Sequence, residues 1–392
     1  MRFVLPDFPW DSLASDKTVA AAHPDGIVDL SIGTPVDPVP DVVRAALGGP
    51  AAGEPGYPTT HGTPALRVAV VGALTRRFGV TADPADVLPT IGSKELVAWL
   101  PTMLGLGPGD LVVLPELAYP TYEIGARLAG ADWLRGDMVD ADVLAAVGPR
   151  RVGLVWVNSP SNPTGRILPA AHLRRVVAWA REHGAMVASD ECYLSLGDGG
   201  DGCAAGVPRG AVSILHPEVC GGSHEGLLAV HSMSKSSNLA GYRAGFAVGD
   251  PAVIAALLEV RKHAGMIMPG PVQAAMAAAA SDDAHTVAQA RVYARRRAQL
   301  RVALEVAGLR VEHSEAGLYL WATAGEGSRS TVRRLATHGV LVAPGEFYGP
   351  AGARHVRVAV TASDERIAAA VRRLAPRASR QANGPQTRRA PI

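Results

Sequence analysis

The chain has 392 residues, 48% of them apolar and 19% charged, and a formal net charge of +2. That length gives room for two ordinary domains, and near-neutrality offers no electrostatic footing for nucleic acid or an anionic membrane. No apolar run reaches the roughly 20 residues needed to cross a bilayer, the first ten residues lack an export-signal core, and Cys192, Cys203 and Cys220 have no metal-ligand spacing, so reduced thiols in a cytoplasmic protein are expected.

Residues 1–26 suggest an irregular arm with a short helix, and 26–35 a strand that ends in a turn at Gly33, where the backbone can approach a ligand closely. A loop holding Tyr57 then runs into a helix capped by Thr63 with Pro64 at its first position. Residues 86–96 read as strand, tight turn and helix. Gly92, Ser93 and Lys94 would place unpaired N–H groups at a helix N-terminus, which favours an anion.

Residues 111–115 form an apolar strand leading to Tyr119 and Tyr122. An aromatic at the C-terminal end of a parallel strand sits where open α/β sheets bind ligands, which favours Tyr119 as a contact and Tyr122 as a packing residue. The strand 151–157 runs into Asn162-Pro163-Thr164-Gly165, a turn sequence. A helix over 169–183 sets Val176, Val177, Trp179 and Ala180 against Arg174, Arg175 and Arg181. The strand 185–189 ends in Asp190-Glu191-Cys192-Tyr193. A carboxylate at that buried end needs a cation or strong donors; a metal would serve, but no His or Asp cluster accompanies the pair. Residues 197–226, rich in glycine, suggest a flexible surface excursion.

The apolar run 226–230 ends in Ser232, Ser234 and Lys235, and Arg243 follows eight residues after the lysine. The chain has only four lysines, Lys17, Lys94, Lys235 and Lys262, against many arginines. A lysine retained here points to an amine that can lose its proton and act as nucleophile, Schiff-base partner or base. The hydroxyls and Arg243 suit phosphate oxygens. Helices are expected over 251–264 and through 272–304. An α+β region closes the fold, with strands at 309–313, 317–322, 340–345 and 355–361 and a helix near 330–338. Arg357 lies inside the last strand, where a buried face would demand an anion. Residues 376–392 have the composition of a disordered tail.

From Ser232 to Phe246 the sequence resembles the class I/II aminotransferases, the fold-type I enzymes that use pyridoxal 5'-phosphate (PLP), and six such segments fall in that family's order over residues 30–360. The resemblance implies an α/β fold: a large domain (48–280) with a mostly parallel sheet and helices on both faces, and a smaller α+β domain (281–375) to which the N-terminal arm (1–47) contributes. It implies that Lys235 binds PLP and moves the substrate proton, that Asp190 pairs with the ring nitrogen, and that Asn162 and Tyr193 meet its phenolic oxygen. Tyr119 would stack on the ring. Gly92, Ser93, Lys94, Ser232, Ser234 and Arg243 would hold the phosphate, with Tyr57 reaching it from a partner subunit, hence a homodimer. Arg357 would grip the substrate carboxylate, near Gly33 and Asn162.

Over its whole length the chain is similar to the N-succinyl-LL-diaminopimelate aminotransferases of lysine biosynthesis, which implies glutamate and 2-oxoglutarate as donor pair and ping-pong kinetics. A doubly anionic substrate arm calls for a cation, and Arg166, Lys262 and His263 are the candidates. Aminotransferases of aspartate, alanine or aromatic amino acids, and carbon-sulfur lyases, would share the same core residues. Regulators with an aminotransferase-like domain carry a basic helical DNA-binding module that this chain lacks.

Overall fold

The computed structural model describes residues 5–148, 150–197 and 210–375. Thirteen strands appear among them: β1 (Val28–Asp29), β2 (Val87–Ile91), β3 (Asp110–Leu114), β4 (Asp132–Arg135), β5 (Arg151–Asn158), β6 (Met186–Asp190), β7 (Leu227–Ser232), β8 (Ala244–Gly249), β9 (Arg310–Glu312), β10 (Tyr319–Thr323), β11 (Val340–Leu341), β12 (Ala343–Pro344) and β13 (Val356–Ala359). Seven form one sheet in the order β2-β8-β7-β6-β5-β3-β4. The run from β7 to β4 is parallel, and β8 lies antiparallel to both β7 and β2. The central strands are apolar throughout because helices cover both faces. One core holds Val155, Val187, Ala229 and Val248, and the other Val112, Trp156, Ala188 and Val230.

Local chemistry sets the helices. Thr63 Oγ1 accepts from the Leu66 N–H ahead of Pro64–Phe78, and Gly79 ends that helix in the left-handed region. Asp250 caps Pro251–Ala264 in the same way. In Ala170–Glu182 the buried face is Leu173, Val176, Val177 and Ala180, with Arg174 and Arg175 outward.

A four-stranded antiparallel sheet, β12-β13-β10-β9, carries a third core with Leu318, Leu320, Trp321 and Val358. The arm joins it: β1 pairs in parallel with β11, and Leu13, Ala20, Val28 and Leu30 pack into the same core. The helix Asp41–Leu47 goes elsewhere, since its Val43 sits in a core of the large sheet, so the arm ends before residue 41 rather than at 47. Asp37 receives both terminal nitrogens of Arg296 at 2.7 and 2.8 Å, and Arg296 Nε reaches Asp364 at 2.6 Å. This ties the arm to the long helix Asp283–Val306 and the helix Asp364–Leu374.

The excursion expected over 197–226 is corrected in part. Ser213, Ile214, Leu215, Val219 and Cys220 are buried, the last four in a core of the large sheet, because this segment packs against Ala170–Glu182, whose Arg174 and Arg181 donate to Glu218 O and Cys220 O. Residues 198–209, which include Cys203, and the tail 376–392 lie outside the described residues. Among the described residues no helix is long and apolar enough to cross a membrane, and no cluster of His, Cys, Asp or Glu could hold a metal ion.

Candidate active site

A cavity of about 1110 Å³ opens at the C-terminal ends of the parallel strands, bounded on the other side by the arm and the small sheet. Strand ends leave backbone groups and side chains unpaired there, which is where open α/β sheets bind ligands. Four of the five parallel strands deliver the parts. Tyr119 follows β3, Asn162 follows β5, Asp190 ends β6, Tyr193 follows it, and Ser234 and Lys235 follow β7; all six line the cavity, with Gly33, Ser93, Lys94, Arg243 and Arg357.

Asp190 is 6% exposed. Its Oδ2 accepts from the Tyr122 hydroxyl at 2.8 Å and its Oδ1 from the Cys192 N–H at 3.2 Å. Burial pushes its pKa up, and those donors together with the Lys235 charge only partly oppose it. Tyr122, which the sequence favours as packing, is therefore a polar partner of Asp190 as well, its ring stacked on Trp156 at 4.7 Å. Asn158 steadies the same corner, donating to Asp190 O at 2.8 Å and accepting from the Asn162 N–H at 2.7 Å.

On one side of Lys235 the chain builds an anion cradle. Ser93 opens the helix Ser93–Met103 behind Gly92, whose φ of +73° places it in the left-handed region. A Cβ on Gly92 would collide with the Arg243 guanidinium, so glycine lets the arginine lie against the turn. Burial and the Arg243 charge push the Lys94 pKa down. Two cations crowded at a helix N-terminus call for an anion. Ser232 does not line the cavity: its Oγ accepts from the Ser234 N–H at 3.1 Å and caps the turn carrying Lys235. Gly92 shapes the cradle without lining it, and Tyr57 is 98% exposed, away from this chain's own cavity.

On the other side lies Arg357, 3% exposed on β13. It donates to Asn162 Oδ1 at 2.9 Å and to Ser31 O at 2.8 Å, while its buried Nε has no partner among the described residues. Among the described residues it forms no ion pair with a carboxylate. Its guanidinium lies 4.0 Å from the Tyr319 ring centroid and 4.9 Å from that of Tyr348. Burying an arginine this way is costly unless an anion completes it. Tyr319 also explains Gly33, where an added Cβ would overlap its hydroxyl. The Tyr193 hydroxyl meets that of Tyr319 at 3.3 Å, and burial raises the Tyr193 pKa well above its ordinary value. Tyr119 is likewise pushed up to about 12 by burial. Tyr319, Tyr348 and Ser31 were not singled out by the sequence. The pattern of β10 marks Tyr319 as a strand residue, but only the crossing of the arm shows what it faces.

The expected substrate-arm cations are not here. Arg166 is exposed outside the cavity, and Lys262 and His263 both pair with Glu259 on the solvent side of Pro251–Ala264, at 3.4 and 3.1 Å. In the last turn of that helix Arg261 is the buried cation, while Lys262 and His263 face outward.

An amine, a buried carboxyl short of a cation and an anion cradle suit PLP in three places: aldehyde, ring nitrogen and phosphate. The comparisons agree. Residues 25–374 match the family described as aminotransferase class I and II, and the chain belongs to that family, whose members depend on PLP. It is 61% identical over 371 residues to a probable aminotransferase of Mycobacterium tuberculosis, covering 94% of this chain and 85% of that one. It is 59% identical over 370 residues to the 4-dedimethylamino-4-oxo-anhydrotetracycline transaminase of Streptomyces rimosus, covering 94% and 99%. Among solved structures, a probable N-succinyldiaminopimelate aminotransferase from Thermus thermophilus superimposes with a TM-score of 0.81 at 28% identity, over 94% of this chain and 99% of that one.

Proposed function

We propose that this aminotransferase moves an amino group between the glutamate/2-oxoglutarate pair and the pair N-succinyl-LL-2,6-diaminopimelate/N-succinyl-2-amino-6-oxopimelate, as a homodimer with Tyr57 serving the partner's site. The observation that carries the α-amino-acid part is Arg357, buried with an unpartnered Nε on the cavity wall. A bidentate α-carboxylate completes it. The cavity continues well past Arg357 toward Trp133, Arg135 and Phe347, room for a long substrate arm.

Bound in this site, PLP supplies an electron sink for the pair left at the substrate α-carbon. This chain's residues do the rest. Lys235 holds the cofactor and then, freed, carries the proton from the α-carbon as general base and acid. Asp190 keeps the ring nitrogen protonated, and Tyr122 and the Cys192 N–H keep Asp190 oriented. The Asn162 amide, its oxygen already engaged by Arg357, keeps its nitrogen as a donor and with Tyr193 would hold the ring oxygen. Lys94, Arg243, Ser93 and Ser234 take the phosphate.

The test is the visible spectrum of the PLP-loaded protein. L-Glutamate should discharge the visible band and N-succinyl-2-amino-6-oxopimelate should restore it. If only other 2-oxo acids restore it, the succinyl-arm assignment falls and the amino transfer stands. A second reading, a bulky ring ketone as acceptor, is favoured by the aromatic wall of Phe8, Trp10, Trp133 and Phe347 and by the substrate in the Streptomyces relative's name; restoration by such a ketone would establish it.

A further inference from the structure

Besides Arg357 and the cradle's Arg243 the cavity wall carries two more arginines, and they differ in charge balance. Arg329 pairs with Glu346 at 2.7 Å, one cation to one carboxylate, and both side chains are 40% exposed at the mouth. Arg135, at the end of β4, is more buried. Its Nη2 meets Glu123 Oε2 at 3.0 Å, and the other oxygen of Glu123 is taken by Arg127 at 2.9 Å. Among the described residues neither Arg127 nor Arg135 forms an ion pair with any other carboxylate, so one acid is shared by two arginines and the cluster keeps one positive charge.

Arg127 stacks over the Trp133 ring at 4.2 Å, which fixes it behind the wall, while Arg135 and Glu123 line the cavity. Arg135 Nη1 donates to Tyr348 O at 3.1 Å, and the ring of that tyrosine lies 4.9 Å from the Arg357 guanidinium. Two cationic sites thus flank one tyrosine, one at its carbonyl and one over its ring.

We propose that Arg135 is the specificity-determining residue that binds a second carboxylate on the substrate, with Glu123 as the internal counter-ion that the substrate carboxylate joins or displaces. This deepens the aminotransferase reading and rests on it for the placing of the α-carboxylate at Arg357. The surplus charge makes the side-chain pocket selective for dicarboxylic substrates, whether short like glutamate or long like a succinylated arm. Glu123 prevents Arg135 from binding adventitious anions tightly, because any anion must compete with it.

The experiment is calorimetric titration of the PLP-loaded full-length protein with glutarate and with valerate, five-carbon acids with two carboxylates and one. Glutarate should bind the unaltered protein on the order of tenfold tighter than valerate, the scale of a charge-assisted hydrogen bond. Arg135→Met should bring that ratio close to one with valerate unchanged. Glu123→Gln should widen it several-fold, because Arg135 loses its competitor. Opposite signs are the point: a cluster that merely held the wall together would lower binding in both variants. The visible band of bound PLP reports that each variant keeps its fold.

An unaltered protein without glutarate preference, a ratio unmoved in Arg135→Met, or a ratio narrowed in Glu123→Gln overturns the proposal. If glutarate preference follows these signs while glutamate fails to discharge the visible band, the dicarboxylate site stands and the donor assignment fails.

Discussion

Glu191 follows Asp190 in sequence but turns into the core on the other side of the sheet. Its Oε1 accepts from Ser189 Oγ at 3.0 Å and the Ile214 N–H at 2.7 Å, and its Oε2 lies 3.4 Å from His231 Nε2 without hydrogen-bond geometry. His231 is stacked on Phe246 at 4.9 Å and on Phe78 at 6.0 Å. Burial pushes Glu191 up to about 7 and His231 down to about 3, from ordinary values of 4.5 and 6.5. The folded pair therefore holds one proton from about pH 3 to 7. Between 4.5 and 6.5 the unfolded chain also holds one, and the pair adds no pH slope. Below 4.5 the unfolded chain binds a second proton and stability falls with pH; from 6.5 to 7 the folded state alone is protonated and stability falls as pH rises. His231→Phe removes only the imidazole's part. Because that pKa is lowered on folding, its penalty grows as pH drops below 6.5, so the variant should gain on the parent by up to about 1.4 kcal/mol per pH unit. Urea unfolding at several pH values between 7 and 4.5 measures this; a difference constant with pH contradicts a buried neutral imidazole.

The helix Ser93–Met103 shows how an element is aimed. Glu95 Oε2 accepts from the Ile91 N–H at 3.2 Å, and both Glu95 oxygens hold the fully buried Arg261, at 2.8 and 3.1 Å. The turn is thus clamped from behind while its front N–H groups stay free for an anion. Gly92→Ala would force a Cβ into a left-handed turn and into Arg243. We expect PLP affinity to drop roughly tenfold, measured by fluorescence titration of the cofactor-free protein, with little change in the proton-transfer step once loaded. Elements with strong local signals were legible in the sequence: the apolar central strands β3, β5, β6 and β7, the capped helices, and the strand ends that carry Tyr119, Asn162, Asp190 and Lys235. Strand β4 was not, because Asp132-Trp133-Leu134-Arg135 is short, half-buried and flanked by charge. Missing it hid Arg135, and the cations chosen in its place sat on surfaces that only a three-dimensional packing identifies. Asp37, Ser31 and Tyr348 were equally silent, since their roles depend on chain crossings that no local pattern encodes.

At the scale of the whole molecule, Tyr57 is a large aromatic left 98% exposed on a loop. A tyrosine that serves only its own chain has little reason to stand in water, and the proposed homodimer would give it a pocket. Light scattering should return about twice 40.6 kDa for the full chain. Tyr57→Phe should weaken PLP binding about tenfold without changing that mass; a monomer with full PLP affinity would remove the interfacial role.

The bond from Arg357 to Ser31 spans 326 residues of sequence. A ribosome delivers the chain from its N-terminus, so β1 and the arm emerge long before β11 and β13, the strands that they must meet. The residues of the Lys235 region and this chain's own part of the anion cradle are all synthesised before β13, which carries Arg357. Closing so long a loop is the slow, late event expected of non-local contacts. A growing chain stopped short of β13 already has every residue of the Lys235 region but lacks Arg357, the residue proposed to read an amino acid's carboxylate.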